Sequence, residues 1–162
     1  MPDFAAAFEA GQVAARNAST HRSEIEQVFG AVTQQLSKAT GGALVLYRAD
    51  VSGFFSLIES ALTPAAEKKT GTKKQSVNAR NVKAEDTSGT VLARWEEPHE
   101  GYPCVLTYDN SIVRCHDKDG VEAAFADFLS NAWVGDQLQK LLALPPKPAA
   151  VSVNTPGAPS SP

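Results

Sequence analysis

The sequence contains few of the residues that most often provide catalysis or covalent cross-links. Its 162 residues include only two cysteines and three histidines. Two cysteines can form at most one disulfide, so a disulfide-built scaffold is excluded and reduced thiols in a cytosolic protein are the expected state. No nucleophile elbow, zinc-protease helix or dinucleotide-binding loop is present. We therefore expect neither a cofactor nor a bound metal.

Long apolar runs are absent as well. No stretch approaches the ~20 apolar residues that a membrane-spanning helix needs. The acidic start, Met1-Pro2-Asp3, is followed by spaced rather than continuous apolar residues, so no signal peptide is expected. The net charge of −3 gives no overall attraction to nucleic acid or to an anionic membrane. A hydrophobic content of 43% is sufficient for the core of one domain.

Charge is unevenly distributed along the chain. Between residues 67 and 83 six cations accompany one acid, whereas between residues 85 and 136 eleven acids accompany three cations. Such blocks can pair within the fold or face different partners. The acidic block predicts an acidic surface. In the basic block, the lysines that could contact nucleic-acid phosphates are Lys68, Lys69, Lys73 and Lys74. A solvated linker is the competing interpretation, since no aromatic residue for base stacking lies among them.

An apolar repeat over the first forty residues is the most informative feature that is present. Spacings of four and three alternate through Phe4, Phe8, Gly11, Ala15, Ala18, Arg22, Ile25, Phe29, Val32 and Leu36. This period of about 3.5 residues is typical of the seam of a coiled coil. Asp3 is a candidate N-cap, and Gly41-Gly42 predicts the end of the helix. A helix over 3–39 would be ~55 Å long. That exceeds the ~35 Å width expected of a domain of this size, so the helix would overhang and need a partner.

A break within this helix is the alternative. Residues 17–23 are poor helix formers, and Ser23 with Glu26 matches a capping box. Two helices over 3–17 and 23–39 could then pack as an antiparallel pair. The sequence leaves both interpretations open.

The remaining sequence predicts strands followed by helices. The predicted elements are strands at 43–49, 77–84 and 90–96, a helix at 53–62, a hairpin at 103–116, and helices over 119–144 with a bend at 131–135. Val91, Ala93 and Trp95 are expected on one face of their strand. Asp119 and Glu122 are expected to cap the first C-terminal helix.

These elements define an α+β fold. It consists of a long N-terminal helix or helical pair, a four- to five-stranded mainly antiparallel sheet, and C-terminal helices. We divide the chain into a helical segment at 1–42, an α+β domain at 43–144 with a mobile basic loop at 63–76, and a flexible proline-rich tail at 145–162.

The predicted hairpin places the two cysteines opposite each other. A two-residue turn at Asp109-Asn110 pairs Cys104 with Cys115. Both lie on the apolar face of the hairpin, whereas His116 lies on the other face, so the three cannot readily close around one metal ion. Buried reduced thiols are therefore favoured. A disulfide and a metal or redox role are the alternatives.

We interpret the chain as a non-catalytic protein-interaction module of adaptor, chaperone-like or inhibitor (immunity) type. It would form a homodimer or dock on a protein partner through an interface made of Phe4, Phe8, Ala15, Ala18, Ile25, Phe29, Val32, Leu36 and Trp133. One alternative is a nucleic-acid-associated accessory factor that uses the basic segment 68–83. Another is a small enzyme with a site around His99, Glu100 and His116, where His99 lies in an acidic turn.

Overall fold

A long helix, a sheet and two further helices follow one another in the computed structural model, which describes residues 1–51 and 71–148. The elements in these ranges are α1 (Phe4–Ala39), β1 (Leu44–Asp50), β2 (Lys73–Asn81), β3 (Thr90–Glu97), β4 (Cys104–Tyr108), β5 (Ser111–Cys115), α2 (Lys118–Ser130) and α3 (Ala132–Leu142). This order confirms the predicted α+β fold. The predicted helix at 53–62, most of the predicted basic loop and the tail from residue 149 lie outside the described residues.

The sheet is an antiparallel meander in which each strand pairs with its neighbours in sequence, in the order β1-β2-β3-β4-β5. Its inner face buries apolar side chains such as Leu46, Val77 and Leu106, and the three helices cover that face. The opposite face is the outer sheet face, where Arg94 and Ile112 are exposed. Alternation along each strand produces this division, because successive side chains point to opposite faces.

The start of β2 corrects the end of the predicted loop at 63–76, because residues 73–76 belong to the sheet. Gln75 lies opposite Trp95 of β3, and Ser76 lies opposite Arg94. The polar composition of this stretch suggested a loop, but pairing with strands on both sides makes it part of the sheet.

A β-bulge in β3 changes which side chains enter the core. Val77 pairs with Ala93 and the next residue, Asn78, pairs with Val91, so Leu92 is the extra residue. Leu92 is buried and Val91 is exposed. The prediction that Val91 shares a face with Ala93 and Trp95 is therefore wrong, because a bulge shifts the alternation by one residue.

Helix α1 is continuous over 36 residues, which confirms the single long helix and excludes the helical pair. The side chain of Asp3 accepts hydrogen bonds from the amides of Ala5 and Ala6, each at 3.1 Å. Gly41 and Gly42 end the helix with positive φ angles of 63° and 83°. The polar stretch around Thr20 remains helical, and the Thr20 hydroxyl donates to the carbonyl oxygen of Arg16 at 3.1 Å.

From Ala18 onward, α1 packs against the other described elements of the chain. Ile25, Val28 and Phe29 are buried there, in the same core as the sheet. The Phe29 ring contacts Trp95 of β3 with a centroid distance of 5.4 Å and Phe125 of α2 with a centroid distance of 4.7 Å. These edge-to-face contacts join the helix, the sheet and α2 in one core.

The C-terminal helices differ from the prediction at their first cap. Asp117, and not Asp119 with Glu122, caps α2 by accepting a hydrogen bond from the amide of Gly120 at 2.7 Å. Asn131 ends α2 and caps α3, which explains the predicted bend. Asp117 takes the capping role because it is the last extended residue before the helix.

The first residues of the predicted flexible tail are paired with the domain. The amide of Glu85 donates to Pro145 at 2.9 Å, and the amide of Lys147 donates to Lys83 at 2.8 Å. Residues 145–147 therefore form a short backbone-paired segment, and the ordered domain extends past the predicted boundary at 144.

We predict that a phenylalanine-to-alanine substitution destabilises the protein in the buried part of α1 and has little effect in its exposed part. Phe29→Ala should lower the free energy of unfolding by about 3–4 kcal/mol, because it leaves a cavity between Trp95 and Phe125. Phe8→Ala should change it by less than about 0.5 kcal/mol, because the Phe8 side chain is exposed. Urea unfolding in dilute solution measures both. Equal losses of unfolding free energy in the two variants would contradict the assignment of Phe29 to the core and of Phe8 to the surface.

Candidate functional site

The first fourteen residues of α1, residues 4–17, project from the domain, and we call them the projecting segment. Every one of these residues is exposed. They extend over about 21 Å at the helical rise. Phe4 is 72% exposed and Phe8 67%, and both lie on one stripe of the helix with Gly11 and Ala15. A bulky apolar stripe on an exposed helix is a typical surface for binding protein.

The structure divides the residues predicted for the interface into two groups. Ala18, Ile25 and Phe29 are buried and Val32 and Leu36 are partly buried, so these five contact their own chain. For the three buried residues this corrects the assignment to an intermolecular interface, whereas Val32 and Leu36 keep some exposed surface and their contact with a partner stays a prediction. A 3.5-residue repeat indicates that a helix face is covered, but it does not indicate which molecule covers it.

The other predicted interface residues are exposed. Phe4, Phe8 and Ala15 belong to the projecting segment. Trp133 is 38% exposed at the start of α3. Their contact with a partner stays a prediction.

The loop between β3 and β4 holds α1 where the projecting segment begins. Arg22 donates to the carbonyl oxygen of His99 at 3.1 Å, and Tyr102 donates to Glu24 at 3.0 Å. Burial, followed by this hydrogen bond to Glu24, raises the pKa of Tyr102 above its usual range, so the hydroxyl stays a donor. Gly101 lies directly under His21, and a Cβ atom there would come within 2.7 Å of the His21 Cβ. These contacts fix the direction in which α1 leaves the domain.

The structure does not bring together the residues of the alternative enzyme site, His99, Glu100 and His116. His99 and Glu100 lie in the loop that holds α1, where the Glu100 carbonyl oxygen is 3.2 Å from Nδ1 of His21. His116 is exposed after β5, and no hydrogen bond within the described ranges joins it to His99 or Glu100. Among residues 1–51 and 71–148, no three His, Cys, Asp or Glu side chains are grouped to hold a metal ion. Two cavities, of about 800 Å³ and 410 Å³, are lined by no histidine or cysteine.

The acidic turn predicted around His99 was expected to include Glu96 and Glu97, but both residues belong to β3. Glu97 is buried, where its carboxylate accepts a hydrogen bond from the Trp95 indole at 3.0 Å and lies 3.5 Å from the Arg48 guanidinium. Arg48 also pairs with Glu26 and stacks 4.0 Å from the centre of the Phe29 ring. This cluster supports the junction of α1 and the sheet. The sequence pattern did not predict this cluster.

The cysteine pair has the predicted geometry. Cys104 lies opposite Cys115 in the β4–β5 hairpin, and both are buried free thiols. This confirms the interpretation as reduced core cysteines. The hydrogen bond with the Cys115 thiol, followed by burial, raises the pKa of Cys104 well above its usual range. A thiol held protonated in this way is a poor nucleophile.

The outer sheet face is basic. Its exposed cations, placed there by alternation along the strands, are Lys74, Arg80, Arg94 and Arg114. Glu96 lies opposite Lys74 on the same face. Lys73 and Lys74, predicted for nucleic-acid binding, lie in β2 opposite Glu97 and Glu96, whereas Lys68 and Lys69 lie outside the described residues.

The predicted acidic surface does not include the whole stretch from residue 85 to 136. Arg94 and Arg114 from this stretch lie on the outer sheet face. Its acids at and after the start of α2 are Asp117, Asp119, Glu122, Asp127 and Asp136. Helices α2 and α3 together carry four acids and two cations, so the helical side has a modest excess of acid, whereas the outer sheet face has an excess of cations.

Comparison with known proteins gives no relative for this arrangement: no protein-family model, curated protein sequence or solved structure matches the chain significantly. Within the described residues, no helix combines the length and the apolar character needed to cross a bilayer.

We predict that both native cysteines resist alkylation in the folded protein. Iodoacetamide should modify them at least about 100-fold more slowly in buffer than in urea, because reaction requires opening of the buried hairpin. Intact-mass spectrometry over time measures the modification. Ala15→Cys supplies the control, since position 15 is exposed and its thiol should react rapidly in buffer. Rapid double modification of the folded native chain would contradict the assignment.

Proposed function

We propose that this protein is a non-catalytic protein-interaction module that binds a protein partner through the projecting segment. The observation that supports this proposal is the complete exposure of a helical segment carrying Phe4 and Phe8 on one stripe. Burying a phenylalanine side chain contributes about 1.5–3 kcal/mol. This gain favours a state in which another molecule covers the stripe.

Rigid presentation of the segment supports the same proposal. Helix α1 continues without interruption from Phe4 into the core, where Phe29 is buried. The contacts of Arg22 and Glu24 with the 98–103 loop hold its middle. A partner would therefore meet a preformed helix and would not have to order it on binding.

The acidic helical side offers a second surface in this proposal. The exposed carboxylates of Asp119, Glu122 and Asp127 lie on α2. They complement a basic protein, which is consistent with an adaptor or an inhibitor that joins or covers partners.

The proposal predicts site-specific contact in the cell. With p-benzoylphenylalanine in place of Phe8, irradiation should yield covalent adducts with a partner protein, because this side chain lies on the exposed stripe of the projecting segment. Val13 provides the matched control, since it is 49% exposed and apolar but lies on the opposite side of the same helix. Mass spectrometry of the adducts measures the yield and shows whether the captured protein is the same chain or another.

Two outcomes decide this experiment. A yield at position 8 at least about tenfold above that at position 13 supports the proposal. Equal yields at the two positions, or no adduct at position 8, would show that the stripe meets no specific protein.

Nucleic-acid binding is a second candidate function, and the basic outer sheet face favours it. The strand spacing and rise place the Cα atoms of Lys74 and Arg94 about 8 Å apart and those of Arg94 and Arg114 about 12 Å apart. Tyr47 extends over this face, with the Arg80 guanidinium 5.2 Å from the centre of its ring. Cations interspersed with an aromatic ring on a sheet are typical of surfaces that bind single strands.

This candidate predicts salt-dependent binding that depends on position as well as on charge. The double substitution Arg94→Ala with Arg114→Ala should weaken binding of a fluorescent single-stranded oligonucleotide at least tenfold. It should also reduce the slope of log affinity against log salt concentration by about 1.4, because each lost phosphate contact contributes about 0.7. Lys38→Ala with Lys140→Ala removes the same charge away from this face. Fluorescence anisotropy at several salt concentrations measures both variants. Equal weakening by the two pairs would exclude the outer sheet face as the site.

A further inference from the structure

We infer that the partner of the projecting segment is the same segment of a second copy of this chain, paired with it in antiparallel orientation. This inference rests on the proposed function and names the partner. It is based on the order of side chains along the stripe, on the length of the exposed helix and on the position of its charges.

The stripe is self-complementary when it is read in opposite directions. It begins with two bulky residues, Phe4 and Phe8, and continues with two small ones, Gly11 and Ala15. In an antiparallel pair, Phe4 of one copy meets Ala15 of the other, and Phe8 meets Gly11. Each of the four phenylalanine rings then occupies the space that a small residue leaves. Alternating large and small side chains across an interface allows close packing.

A parallel pair lacks this complementarity. Each residue would face its own equivalent, so phenylalanine would lie against phenylalanine and Gly11 against Gly11. The helices would be held apart at one end and would leave a gap at the other. The residue order therefore favours the antiparallel arrangement.

The length of the exposed helix matches the length of this pairing. In the antiparallel register, Phe4 lies opposite Ala15 and Asp3 lies opposite Arg16. The first buried residue of α1 is Ala18, which is 4% exposed, so the domain begins just beyond the paired segment. A second copy can thus cover the stripe while the contacts of Arg22 and Glu24 with the 98–103 loop stay in place.

Charge does not oppose the pairing. The projecting segment carries two charged residues, Glu9 and Arg16, of opposite sign. Both lie about 120° around the helix from the centre of the stripe, at 100° for each residue. Two paired segments therefore bury no ionised side chain.

The size of the interface sets the expected affinity. Two helical segments of fourteen residues bury less than the roughly 1,000 Å² of a stable interface, so the dimer should be weak, with a dissociation constant on the order of micromolar or higher. Association should therefore depend on protein concentration.

Sedimentation equilibrium of the purified full chain tests the association. The native chain should show reversible monomer–dimer behaviour. Phe4→Ala with Phe8→Ala should raise the dissociation constant at least tenfold, and Val13→Ala should leave it within about twofold. Alanine is a better helix former than either residue, so a loss of association cannot be attributed to loss of the helix.

Disulfide trapping tests the orientation. Chains with Phe4→Cys and chains with Ala15→Cys should cross-link when they are mixed and oxidised, and neither should cross-link efficiently alone. The native cysteines are buried and do not compete. Efficient cross-linking of each variant with itself would overturn the antiparallel arrangement.

Failure of this inference and failure of the proposed function are distinguishable. A native chain that stays monomeric at all concentrations overturns pairing with a second copy. If photocrosslinking at position 8 then captures a different protein, the proposed function stands. If it captures none, the proposed function fails as well.

Discussion

The position of Phe29 between Trp95 and Phe125 determines how this molecule is organised. Because α1 has 36 residues and packs against the domain from Ala18 onward, with Phe29 in the core, its first fourteen residues are left exposed. Arg48 reinforces the junction by stacking on Phe29 and pairing with the buried carboxylate of Glu97. The same contacts that hold the helix to the sheet thus expose the stripe that contains Phe4 and Phe8.

The sequence predicted the continuous periodicity of α1 but not the change in its surroundings. Both halves follow the same spacing, because the repeat records a covered helix face and not the molecule that covers it. Side-chain size does not separate the two parts either, because the bulky Phe4 and Phe8 are exposed and the small Ala18 is buried.

Pairing between strands explains why some features could be predicted and others could not. The hairpin and the Cys104–Cys115 pair follow from a local turn, so the sequence was sufficient. The bulge at Leu92 and the ion pair of Arg48 with Glu97 depend on neighbours distant in sequence. One signal for Arg48 was available, because it continues the inward alternation of Leu44 and Leu46 and must therefore find a buried partner.

The rigidity of α1 links the two proposed surfaces. In an antiparallel pair, residue 18 of one copy and residue 18 of the other lie about 25 Å apart along the helix axis. Because each helix is rigid and continues into its own domain, the distance and orientation between the two outer sheet faces would be fixed. Two weak basic faces held in this way can bind one extended polyanion more tightly than either face alone, provided that the strand spans both. Dimerisation through an apolar stripe would then strengthen an electrostatic function without any new contact to the ligand.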